Sequence, residues 1–185
     1  MFIVGCLLII QRFLLIPSAH PNEDPGAAEK ESINWRQRRQ LQWGDFKGQP
    51  VASAPNAALT STSILISFGY DNKALTYNLQ CVFYPEKSWT KVKSVRILAH
   101  EQGHFDISQL FTRKLHKALS EYRFSEGSVD RDVMDIYQKI GSQQAAFQQQ
   151  YDKETNYSRD ASQQLIWQEK IEEELRSLSK FASYP

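Results

Sequence analysis

Two periods of hydrophobicity divide the chain. Thr62, Ile64, Ile66 and Phe68 alternate with Ser61, Ser63, Leu65 and Ser67, and Tyr77, Leu79, Cys81 and Phe83 share one face of Thr76 to Tyr84 at period two. Alternation of this kind marks strands, and Gly69-Tyr70-Asp71-Asn72-Lys73 supplies turn formers between them, so a hairpin or part of a small antiparallel sheet is predicted. Pro85 to Ser88 ends it. From Lys91 to Leu119 the spacing becomes helical: Val95, Leu98, Ala99, Gln102, Phe105 and Leu110 are set against Lys93, Ser94, Arg96, Gln109 and Lys117, with Ser88 or Thr90 as cap. Two further helices are expected. One runs from Val129 to about Tyr151 and carries Val133, Ile136, Tyr137, Ile140 and Phe147. The other runs from Arg159 to about Phe181, carries Leu165, Trp167, Ile171, Leu175 and Leu178, and is capped by Ser158 or Asn156. The glutamine-rich Gln143 to Gln150 reads as the solvated face of the first of these. The fold class is therefore α+β, with a small antiparallel sheet from about Thr60 to Tyr84 packed against about three helices, the Lys91–Leu119 helix central.

The amino terminus has a different character. Phe2 to Ile16 is apolar apart from Gln11 and Arg12, and Pro17-Ser18-Ala19 offers small residues for signal cleavage, so residues 1–19 read as a signal peptide. Residues 20–32 read as a flexible tether, and 33–185 as a single domain. Export to the periplasm or outside the cell follows, with no membrane span expected in the mature form. Signal-anchored and lipoprotein forms are the alternatives, the latter because Ile3-Val4-Gly5-Cys6 is lipobox-like.

With 41% hydrophobic residues and a formal charge of +1, the composition suits one sizeable globular core and gives nucleic acid no basic stripe to bind. Cleavage after Ala19 would remove Cys6. Cys81 would then lack an intramolecular partner and reads as a buried structural thiol.

His100-Glu101-Gln102-Gly103-His104 changes the picture most. Residues four apart on a helix lie one turn above each other, so His100 and His104 can hold one metal ion from one face. Glu101, beside them, is positioned as general base toward water at that metal. Gly103 costs about 1 kcal/mol relative to alanine inside a helix, so it needs a packing or access reason. Asp106, about 200° around the helix from His104, is not expected as a ligand and pairs with a basic group or caps a loop; His116 is a surface or packing residue.

These stretches, with Trp43-Gly44-Asp45-Phe46-Lys47-Gly48-Gln49-Pro50, Ser88-Trp89, Leu98 to Ile107, Arg113-Lys114-Leu115, and Tyr151-Asp152 with Thr155, Gln164 and Trp167, resemble the domain-of-unknown-function 922 family of secreted zinc-dependent proteases. The resemblance runs from Leu41 to about Leu175 and implies a zincin-like metallopeptidase domain, Zn2+ as cofactor, a peptide or protein substrate, and the same roles for His100, Glu101 and His104. Where the family commonly has a His-Gly pair after the Tyr151 to Thr155 stretch, this chain has Tyr157-Ser158. Tyr157 is thus the candidate third ligand, with Asp160, Asp152 and Glu154 as competitors. Two functions are consistent with this reading: a zinc metallopeptidase, or an inactive zincin-like binding or envelope module lacking a full zinc site.

Overall fold

A computed structural model describes residues 32–71 and 74–185. The expected signal peptide, nearly all of the tether, and Asn72 and Lys73 of the expected turn lie outside the described residues. The elements are β1 (Ile33–Asn34), β2 (Ala58–Leu59), β3 (Thr62–Tyr70), β4 (Leu75–Phe83), β5 (Trp89–Thr90), α1 (Val95–Ser120), α2 (Val129–Glu154) and α3 (Ala161–Ser177). This is an α+β arrangement.

The hairpin is β3 and β4, paired antiparallel from Thr62 opposite Phe83 to Tyr70 opposite Leu75. β1 adds to the other edge of β4, while β2 and β5 form a separate two-stranded ribbon. Strict alternation describes only part of β3, because Thr62 to Ile66 are all buried. Ile64 and Ile66 join Leu79 in the main core, whereas Leu65 belongs to a small cluster with Val82 and Tyr84. Both faces of that end of the hairpin are covered.

α1 packs against β3 and β4 as well as α2 and α3. Ile107, Leu110, Phe111 and Leu115 enter one core with Val133, Tyr137, Tyr151, Trp167, Ile171 and Leu175. The helix begins later than the spacing predicts. Thr90 is paired with Ala58 in the ribbon and the Ser88 hydroxyl donates to Tyr84 O, so Ser94 is the cap, its Oγ accepting from Ile97 N at 3.2 Å. Val95, expected on the apolar face, is 87% exposed in the first turn, before the helix passes beneath the other elements.

Between α2 and α3, Asn156, Tyr157 and Ser158 all take the left-handed conformation, with φ of 47°, 53° and 70°. Such residues persist only where the surroundings hold them. Here Tyr157 N donates to Asp152 O at 2.8 Å and Asp160 N to Thr155 O at 3.0 Å. Asp160 therefore caps α3, accepting from Gln163 N at 3.0 Å, in place of the expected Ser158 or Asn156. The glutamine-rich stretch also departs from expectation: Gln143, Gln149 and Gln150 face solvent, but Gln144 and Gln148 are buried. Cys81 is fully buried, and burial pushes its thiol pKa up.

Candidate metal centre

α1 sets His100 and His104 one turn apart, and α2 brings Asp152 to both. Asp152 Oδ1 lies 3.1 Å from His100 Nε2 and 3.0 Å from His104 Nε2. All three residues are buried, and a ligand atom from each lies within 4.8 Å of the other two, so the cluster could hold a metal ion. The donor set fits a small ion of borderline softness. Tetrahedral bonds of about 2.0–2.1 Å separate ligands by roughly 3.3 Å, close to the 3.1 and 3.0 Å between Asp152 Oδ1 and the two imidazole nitrogens. Calcium, which takes six to eight oxygens, does not fit two imidazoles and one carboxylate.

The second nitrogen of each imidazole is held by a glutamine whose amide has one sensible orientation. Gln148 Nε2 donates to His104 O at 3.0 Å, which turns its Oε1 onto His104 Nδ1 at 2.5 Å. Gln164 Nε2 donates to the Tyr151 hydroxyl at 2.7 Å, leaving its Oε1 3.1 Å from His100 Nδ1. Each Nδ1 must therefore carry the proton, and each Nε2 is the atom offered to a metal. The reason for Gly103 lies in the same layer. The Tyr151 ring stacks on His100 at 4.6 Å between centroids, with its hydroxyl donating to His100 O at 3.0 Å. A Cβ at position 103 would meet Tyr151 Cζ at 2.7 Å.

Burial opposes a charge on His104, but the negative charge of Asp152, its hydrogen bond and the charge of Glu101 outweigh it and raise the pKa to about 9. Burial likewise opposes the Asp152 carboxylate, yet both histidines hold its pKa well below the ordinary range. Without metal, His104 and Asp152 thus form a buried ion pair. Glu101 differs from its neighbours: it is 4% exposed, and its carboxylate makes no hydrogen bond or ion pair with another described residue.

His100, Glu101, His104 and Asp152 line one cavity of about 680 Å3, bounded also by Ala58 to Thr60 and by Tyr157 to Arg159. Tyr157, the expected third ligand, is 44% exposed, and its hydroxyl makes no hydrogen bond to either histidine or to Asp152. Of its competitors, Asp152 reaches the imidazoles, Glu154 accepts from Trp167 Nε1 at 2.9 Å, and Asp160 caps α3. Asp106 lies away from the centre, accepting from Trp35 Nε1 at 2.7 Å and pairing with Arg39 at 3.0 Å. His116 Nδ1 is 2.9 Å from the Tyr77 hydroxyl.

The sequence reading missed Gln148 and Gln164 as partners of the imidazoles. A signal was there: Gln144, Gln148, Asp152 and Thr155 recur at helical spacing and are all buried, a polar stripe on a helix whose other positions supply the apolar face.

The centre falls inside a stretch that matches a known family. Residues 84–159 match the family described as "Bacterial protein of unknown function (DUF922)". The DUF922 segment is narrower than the resemblance drawn from Leu41 to Leu175, yet it contains His100, Glu101, His104, Asp152 and Tyr157. It ends before Gln164. Comparison with curated proteins and with solved structures gave no match.

Proposed function

We propose that the chain is an exported zinc-dependent peptide hydrolase with a zincin-like site, in which His100, His104 and Asp152 hold the ion. The observation that carries this reading is Glu101, a buried carboxylate without a partner among the described residues, adjacent to a ligand and lining the same cavity. Zinc bound there would polarise a carbonyl and make water more acidic. Glu101 takes the proton of the attacking water on a carboxylate oxygen and returns it to the leaving amine nitrogen. Gln148 and Gln164 keep both imidazoles in the tautomer that presents Nε2. β2 pairs with β5 and lines the cavity with Ala58 and Leu59, so its backbone is available to align an extended peptide.

The alternative, an inactive module, rested on the want of a third ligand. Asp152 supplies a carboxylate at that position and weighs against it. Among the described residues no helix is long and apolar enough to cross a membrane.

Glu101→Gln tests the division of roles. The variant should keep zinc and lose about 10²-fold or more of peptide hydrolysis. Loss of zinc on the scale of His100→Ala would show Glu101 to be a ligand, and a zinc-loaded wild type that cleaves no peptide in an unbiased library would defeat the hydrolase reading.

A further inference from the structure

The charged side chains lining the cavity fall into two sets. Glu101 and Asp152 are buried at its floor, whereas Lys91, Arg96 and Arg159 are exposed at its rim. Lys91 is already committed, its Nζ donating to Ala52 O at 3.2 Å and Ala54 O at 2.5 Å. The guanidinium groups of Arg96 and Arg159 make no hydrogen bond or ion pair with any described residue. They come from different elements. Arg96 stands one helical turn before His100 on α1, and Arg159 follows the left-handed turn that lines the cavity with Tyr157 and Ser158.

A divalent ion on the floor balances the two carboxylates, and the cavity then presents only the positive charges of its rim. Guanidinium groups bind carboxylates through paired, charge-assisted hydrogen bonds. We propose that the cavity selects peptides carrying a carboxylate close to the bond presented to Glu101, with Arg96 and Arg159 as the groups that receive it. This rests on the peptide-hydrolase reading and names its substrate class. The carboxylate can come from an acidic side chain or from a peptide C-terminus, since both offer the same group.

The test uses the full chain as zinc-loaded Glu101→Gln, so that binding is read without turnover. The probes are four fluorescein-labelled peptides of one sequence: C-terminally amidated forms with Glu, Gln or Lys beside the central bond, and the Gln form with a free C-terminal carboxylate. Fluorescence anisotropy should show the Glu peptide, the free-carboxylate peptide or both binding tighter than the amidated Gln peptide, with Lys weakest. The advantage should be on the order of fivefold per guanidinium, as for an exposed ion pair. It should shrink between about 0.05 and about 0.5 M salt. Adding Arg96→Gln and Arg159→Gln should bring the four peptides together. Equal affinities in the parent, a preference that survives both substitutions, or no binding by any peptide overturns the proposal. Wild-type turnover of the same peptides separates the two claims: cleavage without charge preference upholds the hydrolase and removes the specificity, and charge-selective binding without cleavage does the reverse.

Discussion

Replacing Gly103 by alanine tests whether the Tyr151 ring organises the centre. On an open helix face this change stabilises by about 1 kcal/mol, because glycine gives up more backbone freedom on folding. Position 103 is not open. An added Cβ would lie 2.7 Å from Tyr151 Cζ and 3.1 Å from Cε1, with the hydroxyl nearer still. The ring cannot yield cheaply, being fully buried, stacked on His100 and packed against Trp167 at 5.4 Å. Overpacking of this kind costs roughly 1–3 kcal/mol. If the ring moves, the hydroxyl also loses its bonds to His100 O and Gln164, at about 1 kcal/mol each. Subtracting the helix gain leaves a net destabilisation of roughly 2–4 kcal/mol. Urea denaturation of metal-free protein measures it. In a Tyr151→Phe background the nearest atom is gone, so the penalty of Gly103→Ala should fall by about 1 kcal/mol or more. A Gly103→Ala protein that is more stable than wild type by the propensity gain alone would refute the reasoning.

Three other outcomes follow from the same geometry. Gln148→Leu should weaken zinc binding by about 10–100-fold in a chelator competition assay, because His104 loses the acceptor that fixes its tautomer. In metal-free protein the His104 pKa of about 9 lies above its unfolded value, so its contribution to stability is complete below about 6.5 and disappears as pH rises through about 9. Asp152, whose pKa is depressed, contributes above its unfolded value near 3.8 and loses that contribution as pH falls below it. Urea midpoints across the alkaline range should therefore fall in wild type and stay flatter in His104→Gln. Asp106→Ala should cost roughly 1–3 kcal/mol in urea denaturation with little change in zinc affinity, since it strands Trp35 Nε1 and removes the carboxylate that pairs with Arg39 but touches no metal ligand.

Much of this architecture is legible in the chain because local periods report burial: period two gave β3 and β4, and helical spacing gave three helices near their observed limits. The departures share a cause. Ser94 caps α1 because the ribbon of β2 and β5, two short strands with no periodicity to detect, takes Thr90 out of reach. At the centre, helical spacing alone brings His100 and His104 together, but the approach of Asp152 depends on how α2 crosses α1, which no local pattern encodes. Buried glutamines are harder still. Gln144 and Gln148 look like solvated residues until a partner appears, and their partners, Ser108 and His104, lie on another helix.

The central claim is most directly tested by metal content. Wild-type protein purified without added chelator should carry about one zinc per chain on elemental analysis, as should Tyr157→Phe, whereas His100→Ala, His104→Ala and Asp152→Ala should each carry almost none. Zinc retained by Asp152→Ala but lost by Tyr157→Phe would return the third position to the tyrosine and contradict the centre described here.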